Sequence, residues 1–128
     1  MADWINGYSS GAGWLIAADR SAYRVGVFSG YACHWSMRCY WRCVTGVPAA
    51  PTITGCYRTM GFKRGSLSAD SRVINCMQIW QDCFFHSILN SESGLGQNLP
   101  YGCIRISCSS AKWIQDTIFY RTAVVIYG

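Results

Sequence analysis

The chain has 128 residues, of which 51% are hydrophobic and 13% charged, a composition that excludes a disordered protein and suits one domain with its own core. Its formal charge is +5, but the eleven Lys and Arg residues are scattered along the sequence. Because it has neither an aromatic RNA-binding motif nor a basic recognition helix, we expect no nucleic-acid partner. The charge fits either an ordinary solvated surface or attraction to an anionic cell wall.

Alternating or short apolar segments bounded by Gly, Pro, Asn and Ser predict strands along most of the chain. The predicted strands, in chain order, are residues 14–18, 23–28, 35–45, 55–62, 73–80, 83–89, 103–107 and 123–127. The first two are predicted to form a hairpin, and Ser29-Gly30 is expected to end the second. Residues 35–45 alternate along their length, which predicts a long strand whose odd-numbered residues form one apolar face.

Between these strands lie predicted loops at 46–54, 63–72 and 90–98, and a single helix late in the chain. Residues 63–72 are rich in Ser, Gly and charge, and form either a flap over a site or a plain surface loop. Ser107 or Ser109 is the predicted helix N-cap, and Ala111, Ile114 and Ile118 recur at helical spacing. The sequence therefore predicts one mainly β domain over 1–128, a β-sandwich or partly closed barrel with one late α-helix.

Eight cysteines are a high count for this length. No Cys-x-x-Cys pair is present, which excludes zinc-ribbon and thioredoxin-like sites, and we predict neither a metal nor a cofactor. Cys39 and Cys43 share a face of one predicted strand but lie too far apart along it to bond each other. The others are either small buried hydrophobes or members of one or two disulfides.

One cysteine stands in a context that indicates chemistry. Cys103 follows Gly102 at the start of a short alternating strand, where glycine permits a tight turn and close approach of a ligand. A thiol needs a base to become the nucleophilic thiolate, and His86 on a neighbouring predicted strand can supply one. Taken alone, a cysteine or histidine in an apolar strand is more often a core residue.

The combined motifs resemble a known family. Phe85-His86-Ser87, Gly102-Cys103-Ile104-Arg105, Ala111-Lys112-Trp113-Ile114 and Val124-Val125-Ile126-Tyr127 follow one another as in the L,D-transpeptidase catalytic domain, the YkuD-type fold. Thr52-Ile53-Thr54-Gly55 is close to the family's Thr-Pro-Thr-Gly turn. The resemblance covers about residues 13–127 and is strongest to clostridial members. The chain departs from the family where Pro100-Tyr101 replaces the Ser-His that precedes Gly-Cys.

The resemblance implies an acyltransferase that forms 3→3 peptidoglycan cross-links through a thioester on Cys103. It assigns His86 as general base and the Ser87 carbonyl as the group that orients it. The Gly102 and Cys103 amides, with that of Tyr101, would form the oxyanion hole. Arg105 would either bind a substrate carboxylate or serve as a structural ion-pair partner. The Tyr101 phenol would bind the substrate or the thiolate by donating a hydrogen bond, but it cannot replace an imidazole as base near neutral pH, because its pKa is about 10.

The resemblance also implies peptidoglycan stem peptides as substrates, carbapenems as covalent inhibitors, a monomer, and a location at the cell wall outside the cytoplasm. Since Met1–Trp4 lack a signal-peptide pattern and no apolar run approaches the roughly 18 residues of a spanning helix, the chain is either exported without its leader or cytoplasmic. The alternative to an active enzyme is a catalytically impaired homologue that binds peptidoglycan. A third reading, a disulfide-stapled scaffold, rests on the cysteine count alone.

Overall fold

The computed structural model describes residues 5, 7–46, 52–59, 63–66, 73–80, 83–88, 98–99, 104–118 and 121–128. In these ranges the chain forms strands and a single helix. In chain order the elements are β1 (Trp14–Asp19), β2 (Arg24–Tyr31), β3 (His34–Arg42), β4 (Thr45–Gly46), β5 (Gly55–Arg58), β6 (Lys63–Ser66), β7 (Val73–Trp80), β8 (Cys83–Ile88), β9 (Asn98–Leu99), β10 (Ile104–Arg105), α1 (Cys108–Thr117) and β11 (Ala123–Tyr127).

The larger sheet has the strand order β3-β2-β1-β11-β5. The predicted hairpin of β1 and β2 is present, and β11 pairs in parallel with β1. Apolar residues run without interruption along β11 because both of its faces are covered. Val124 and Ile126 face the main core, whereas Ala123 and Val125 face a smaller cluster on the other side of the sheet.

The smaller sheet has the order β10-β8-β7-β6, and β4 pairs with β9 in a separate two-stranded ladder. Residues from both large sheets and from α1 share the main core, among them Ile16, Val25, Phe85, Ile104 and Ile114. The two sheets thus pack against one hydrophobic core, with α1 lying on β7 and β8. The prediction of a mainly β fold with one late helix is confirmed. In the described residues β3 and β5 remain sheet edges, so the larger sheet is not closed into a barrel.

The helix forms where the sequence predicts it, and Ser107 is its N-cap. The Ser107 hydroxyl accepts a hydrogen bond from the backbone N–H of Ser110 at 3.2 Å, which satisfies one of the amide groups that a helix start leaves without an intrahelical partner. Ala111 and Ile114 are fully buried. Trp113 meets the rings of Trp14 and Trp41 edge to face, which fastens the helix to the larger sheet.

Two predictions about the larger sheet are wrong. Ser29-Gly30 does not end the second strand, since β2 continues to Tyr31 and pairs with β3 over its whole length. A β-bulge at Val27/Phe28 changes which face β3 presents: Cys39 and Trp41 pack against the main core, whereas Trp35 packs against the smaller cluster. An extra residue in one strand shifts every later side chain to the other face, so strict alternation misleads.

The predicted loops at 63–72 and 90–98 also need correction. Residues 63–66 form β6, which pairs antiparallel with β7 despite their polar sequence, because an edge strand tolerates charged side chains. Asn98, placed at the end of the second loop, begins β9 and pairs with Thr45. The rest of both predicted loops lies outside the described residues.

Candidate active site

The strand that follows the predicted nucleophile lies beside the strand that carries His86. β10 pairs in parallel with β8, with Ile104 opposite Phe85 and Arg105 opposite His86. Side chains that are opposite one another in paired strands project to the same face. Phe85 and Ile104 therefore enter the main core together, and His86 and Arg105 share the other face.

The His86 imidazole is held by the backbone of the next residue. Its Nδ1 lies 3.2 Å from the Ser87 carbonyl oxygen. A carbonyl can only accept a hydrogen bond, so Nδ1 carries the proton and Nε2 keeps the lone pair that a base needs. This is the contact that the sequence analysis expected of the Ser87 carbonyl.

Burial decides the charge of this histidine. His86 is 3% exposed. Loss of solvent lowers the pKa of His86 below its ordinary value of 6.5; the Ser87 carbonyl opposes that shift, and the Arg105 guanidinium adds to it. The imidazole is consequently neutral at pH 7, the state of a general base rather than of a cation paired with a thiolate.

Arg105 is also buried, at 3% exposure, and its backbone is fixed on two sides. Besides its pairing with β8, its N–H donates to the Val44 carbonyl at 3.0 Å, and its carbonyl accepts from the Val44 N–H at 2.8 Å. The Arg105 guanidinium lies buried beside the neutral His86 imidazole, close enough to act on its pKa. A buried cation needs a compensating anion, which either a structural partner or a substrate carboxylate can supply, so both interpretations of Arg105 stay predictions.

The structure thus brings His86, Ser87 and Arg105 together, whereas Tyr101, Gly102 and Cys103 lie outside the described residues. Asn75 is not among the predicted site residues, yet its side-chain amide donates to the Ser87 hydroxyl at 3.3 Å. An asparagine inside an apolar strand segment is the signal that could have found it, because Asn adopts the left-handed backbone of some bulges more readily than most residues.

The cysteines that the structure describes give no support to a disulfide framework. Cys39, Cys43 and Cys56 carry free thiols, and the prediction that Cys39 and Cys43 do not bond each other is confirmed. Burial raises the pKa of Cys43 to about 12, which makes that thiol a poor nucleophile. Among the described residues no group of three or more His, Cys, Asp or Glu side chains is arranged to hold a metal ion.

Comparison with known proteins gives a structural match. No family model and no curated protein matches the sequence. A solved structure of a fused Zn-dependent amidase/peptidase/peptidoglycan-binding domain-containing protein from Clostridium acetobutylicum superposes with a TM-score of 0.77 at 28% identity, over 95% of this chain and 56% of that one. An L,D-transpeptidase from Mycobacterium smegmatis superposes with a TM-score of 0.75 at 21% identity, over 92% of this chain and 60% of that one.

A third match is L,D-transpeptidase 3 from Mycobacterium tuberculosis in complex with a faropenem-derived adduct. Its TM-score is 0.74 at 17% identity, over 91% of this chain and 60% of that one. The chain has the L,D-transpeptidase fold. It spans less than two thirds of the length of each of these solved chains.

Within the described residues, no helix has the length and apolar character needed to cross a bilayer.

Proposed function

We propose that this chain is an L,D-transpeptidase that uses Cys103 as nucleophile and His86 as general base. The observation that supports this most is the parallel pairing of β8 and β10, which places His86 opposite Arg105, two residues after Cys103. A buried, neutral imidazole oriented by a carbonyl is the second support.

Covalent geometry limits how far the thiol can be from the imidazole. Consecutive Cα atoms are about 3.8 Å apart and neighbouring strands about 4.8 Å apart. Ile104, the residue after Cys103, pairs with Phe85, the residue before His86. Covalent geometry therefore allows a Cα separation of at most about 12 Å between the proposed nucleophile and the proposed base. This limit is compatible with proton transfer from the thiol to the imidazole.

The proposed reaction has two acyl transfers. His86 Nε2 accepts the thiol proton, and the Cys103 sulfur attacks the carbonyl carbon of a peptide bond. The C–N bond breaks, the amine leaves with the proton returned from Nε2, and a thioester remains. A second amine then loses a proton to Nε2 and attacks the thioester. The new amide forms as the sulfur leaves and regains its proton.

The residues around the nucleophile would stabilise the charge that develops in each transfer. The proposed oxyanion hole consists of the backbone N–H groups of Gly102 and Cys103, with that of Tyr101, which need no particular side chain. Arg105 would either bind a carboxylate of the donor or serve as a structural ion-pair partner. Tyr101 donates a hydrogen bond but supplies no positive charge, so thiolate formation depends on His86.

The substrates follow from the resemblance and from the names of the structural matches. The donor is a peptidoglycan stem tetrapeptide, D-alanine leaves, and a side-chain amine of a second stem accepts, giving a 3→3 cross-link. A β-lactam, such as a carbapenem or faropenem, would acylate Cys103 in place of the donor. This reaction belongs at the cell wall, outside the cytoplasm, and needs only a monomer.

The test is turnover of a defined donor. We expect incubation with a stem tetrapeptide and an amine acceptor to release D-alanine and give the cross-linked mass, and Cys103→Ala to give neither. Binding of wall fragments without release of D-alanine would instead support a peptidoglycan-binding module, the function that the Pro100-Tyr101 substitution favours.

A further inference from the structure

A β-bulge lies directly opposite His86. The register of β7 with β8 passes from Ile74 opposite Ser87 to Met77 opposite Phe85. Between these pairs, Asn75 and Cys76 together face the single residue His86. Bulges of this kind re-aim side chains and are over-represented next to active sites.

The first residue of the bulge has an unusual backbone. Asn75 has a φ of 55°, in the left-handed region that asparagine enters more readily than most other side chains. Its Nδ2 donates to the Ser87 hydroxyl at 3.3 Å. Ser87 is fully buried, and its carbonyl holds the His86 Nδ1 proton. The bulge thus connects by one hydrogen bond to the residue that orients the imidazole.

We infer that Asn75 is a positioning residue for His86: its amide fixes Ser87 on β8, so that the Ser87 carbonyl holds the imidazole in the Nδ1–H tautomer with Nε2 available as base. This inference rests on the proposed function for its catalytic meaning, but the positioning itself is a property of the folded chain. Regular pairing of β7 would place one residue opposite His86 and would lack this contact.

The decisive variant is Asn75→Gly, because glycine keeps the left-handed backbone and removes only the amide. The control is Arg121→Gly, which also introduces glycine at a position with left-handed backbone (φ 67°). The Arg121 side chain is exposed and lies outside the site. The readout is the ¹⁵N imidazole spectrum of the full chain labelled at histidine. Only His34 and His86 give signals, and His34→Gln assigns them.

We expect the wild-type chain and Arg121→Gly to show the Nδ1–H tautomer for His86, and Asn75→Gly to show a mixture of tautomers. The rate of acylation by faropenem should fall about fivefold to tenfold in Asn75→Gly, the usual worth of one hydrogen bond. Ser87→Ala, which removes the accepting hydroxyl and keeps the carbonyl, should give the same mixture, and the double variant should add little.

A folded Asn75→Gly chain with an unchanged His86 tautomer would overturn the inference. If Asn75→Gly fails to fold, an unchanged His86 tautomer in Ser87→Ala would overturn it instead.

The positioning role and the proposed function can be refuted independently of each other. A wild-type chain that is not acylated, but whose His86 tautomer depends on Asn75, contradicts the proposed function and leaves the positioning role intact. A wild-type chain that is acylated normally, but whose His86 tautomer does not depend on Asn75, contradicts the positioning role and leaves the proposed function intact.

Discussion

Replacement of His86 by glutamine tests the proposed base, because glutamine has a comparable polar side chain but cannot take up a proton near neutral pH. His86 is 3% exposed and burial lowers its pKa below the ordinary 6.5, so the neutral imidazole, which can accept a proton, predominates at pH 7. We expect His86→Gln to slow acylation by about 10²–10⁴, the usual contribution of a general base. This loss corresponds to roughly 3–5 kcal/mol of transition-state stabilisation.

The pH dependence of that loss is the sharper test. An unassisted thiol with the ordinary pKa of about 8.5 is only about 3% thiolate at pH 7 and almost wholly thiolate at pH 10. The variant should therefore recover roughly thirtyfold over this range, while the wild-type rate changes little.

The assay is the rate of faropenem adduct formation followed by intact mass, with His34→Gln as the control. His34 is the other histidine of the chain; it is exposed, and its ring contacts that of Tyr31 at a tilt of 43°. A wild-type to His86→Gln ratio near one at pH 7, or a larger loss in His34→Gln, would refute the assignment of the base.

Three further predictions follow from the same geometry. Because the pKa of His86 in the folded chain lies below its ordinary 6.5, the unfolded chain binds more protons in the pH range between these two values. The free energy of unfolding should therefore fall as the pH drops from about 7 through that range. Urea midpoints should show this fall in the wild-type chain and a smaller fall in His86→Gln. Tyr101→His should lower the pKa of the Cys103 thiol and speed acylation near neutral pH, since a protonated imidazole favours thiolate; identical pH profiles of alkylation in both chains would contradict this. Ser107→Ala should cost about 1 kcal/mol of unfolding free energy through loss of the N-cap, and an unchanged thermal midpoint would show that the cap contributes nothing.

Local patterns predicted the parts of this fold that depend on local physics. The hairpin of β1 and β2, the cap at Ser107 and the buried strand β11 were all readable, because alternation, capping and continuous apolar runs have direct structural meaning. The two β-bulges could not be predicted from local patterns. The one at Val27/Phe28 and the one opposite His86 depend on pairing between strands, which no single segment determines.

In the candidate site, too, the features that depend on one segment were predictable and those that depend on several segments were not. His86 and Ser87 stood out through a motif, and their orientation follows from a contact between adjacent residues. The asparagine in an apolar segment marks Asn75 as unusual, but its contact with Ser87 could not be predicted, because Ser87 lies twelve positions later in another strand. The neutral state of His86 likewise depends on burial and on Arg105, which the chain brings together only on folding.

The identity of the acylated residue tests the central proposal most directly. The full chain is incubated with faropenem or a carbapenem, its intact mass is measured, and the adduct is located by peptide mapping. We predict one adduct per chain on Cys103, none in Cys103→Ala, and an unchanged result in Cys56→Ala, which removes an exposed free thiol. An adduct on another cysteine, or none on the wild-type chain, would contradict the assignment of Cys103 as the nucleophile.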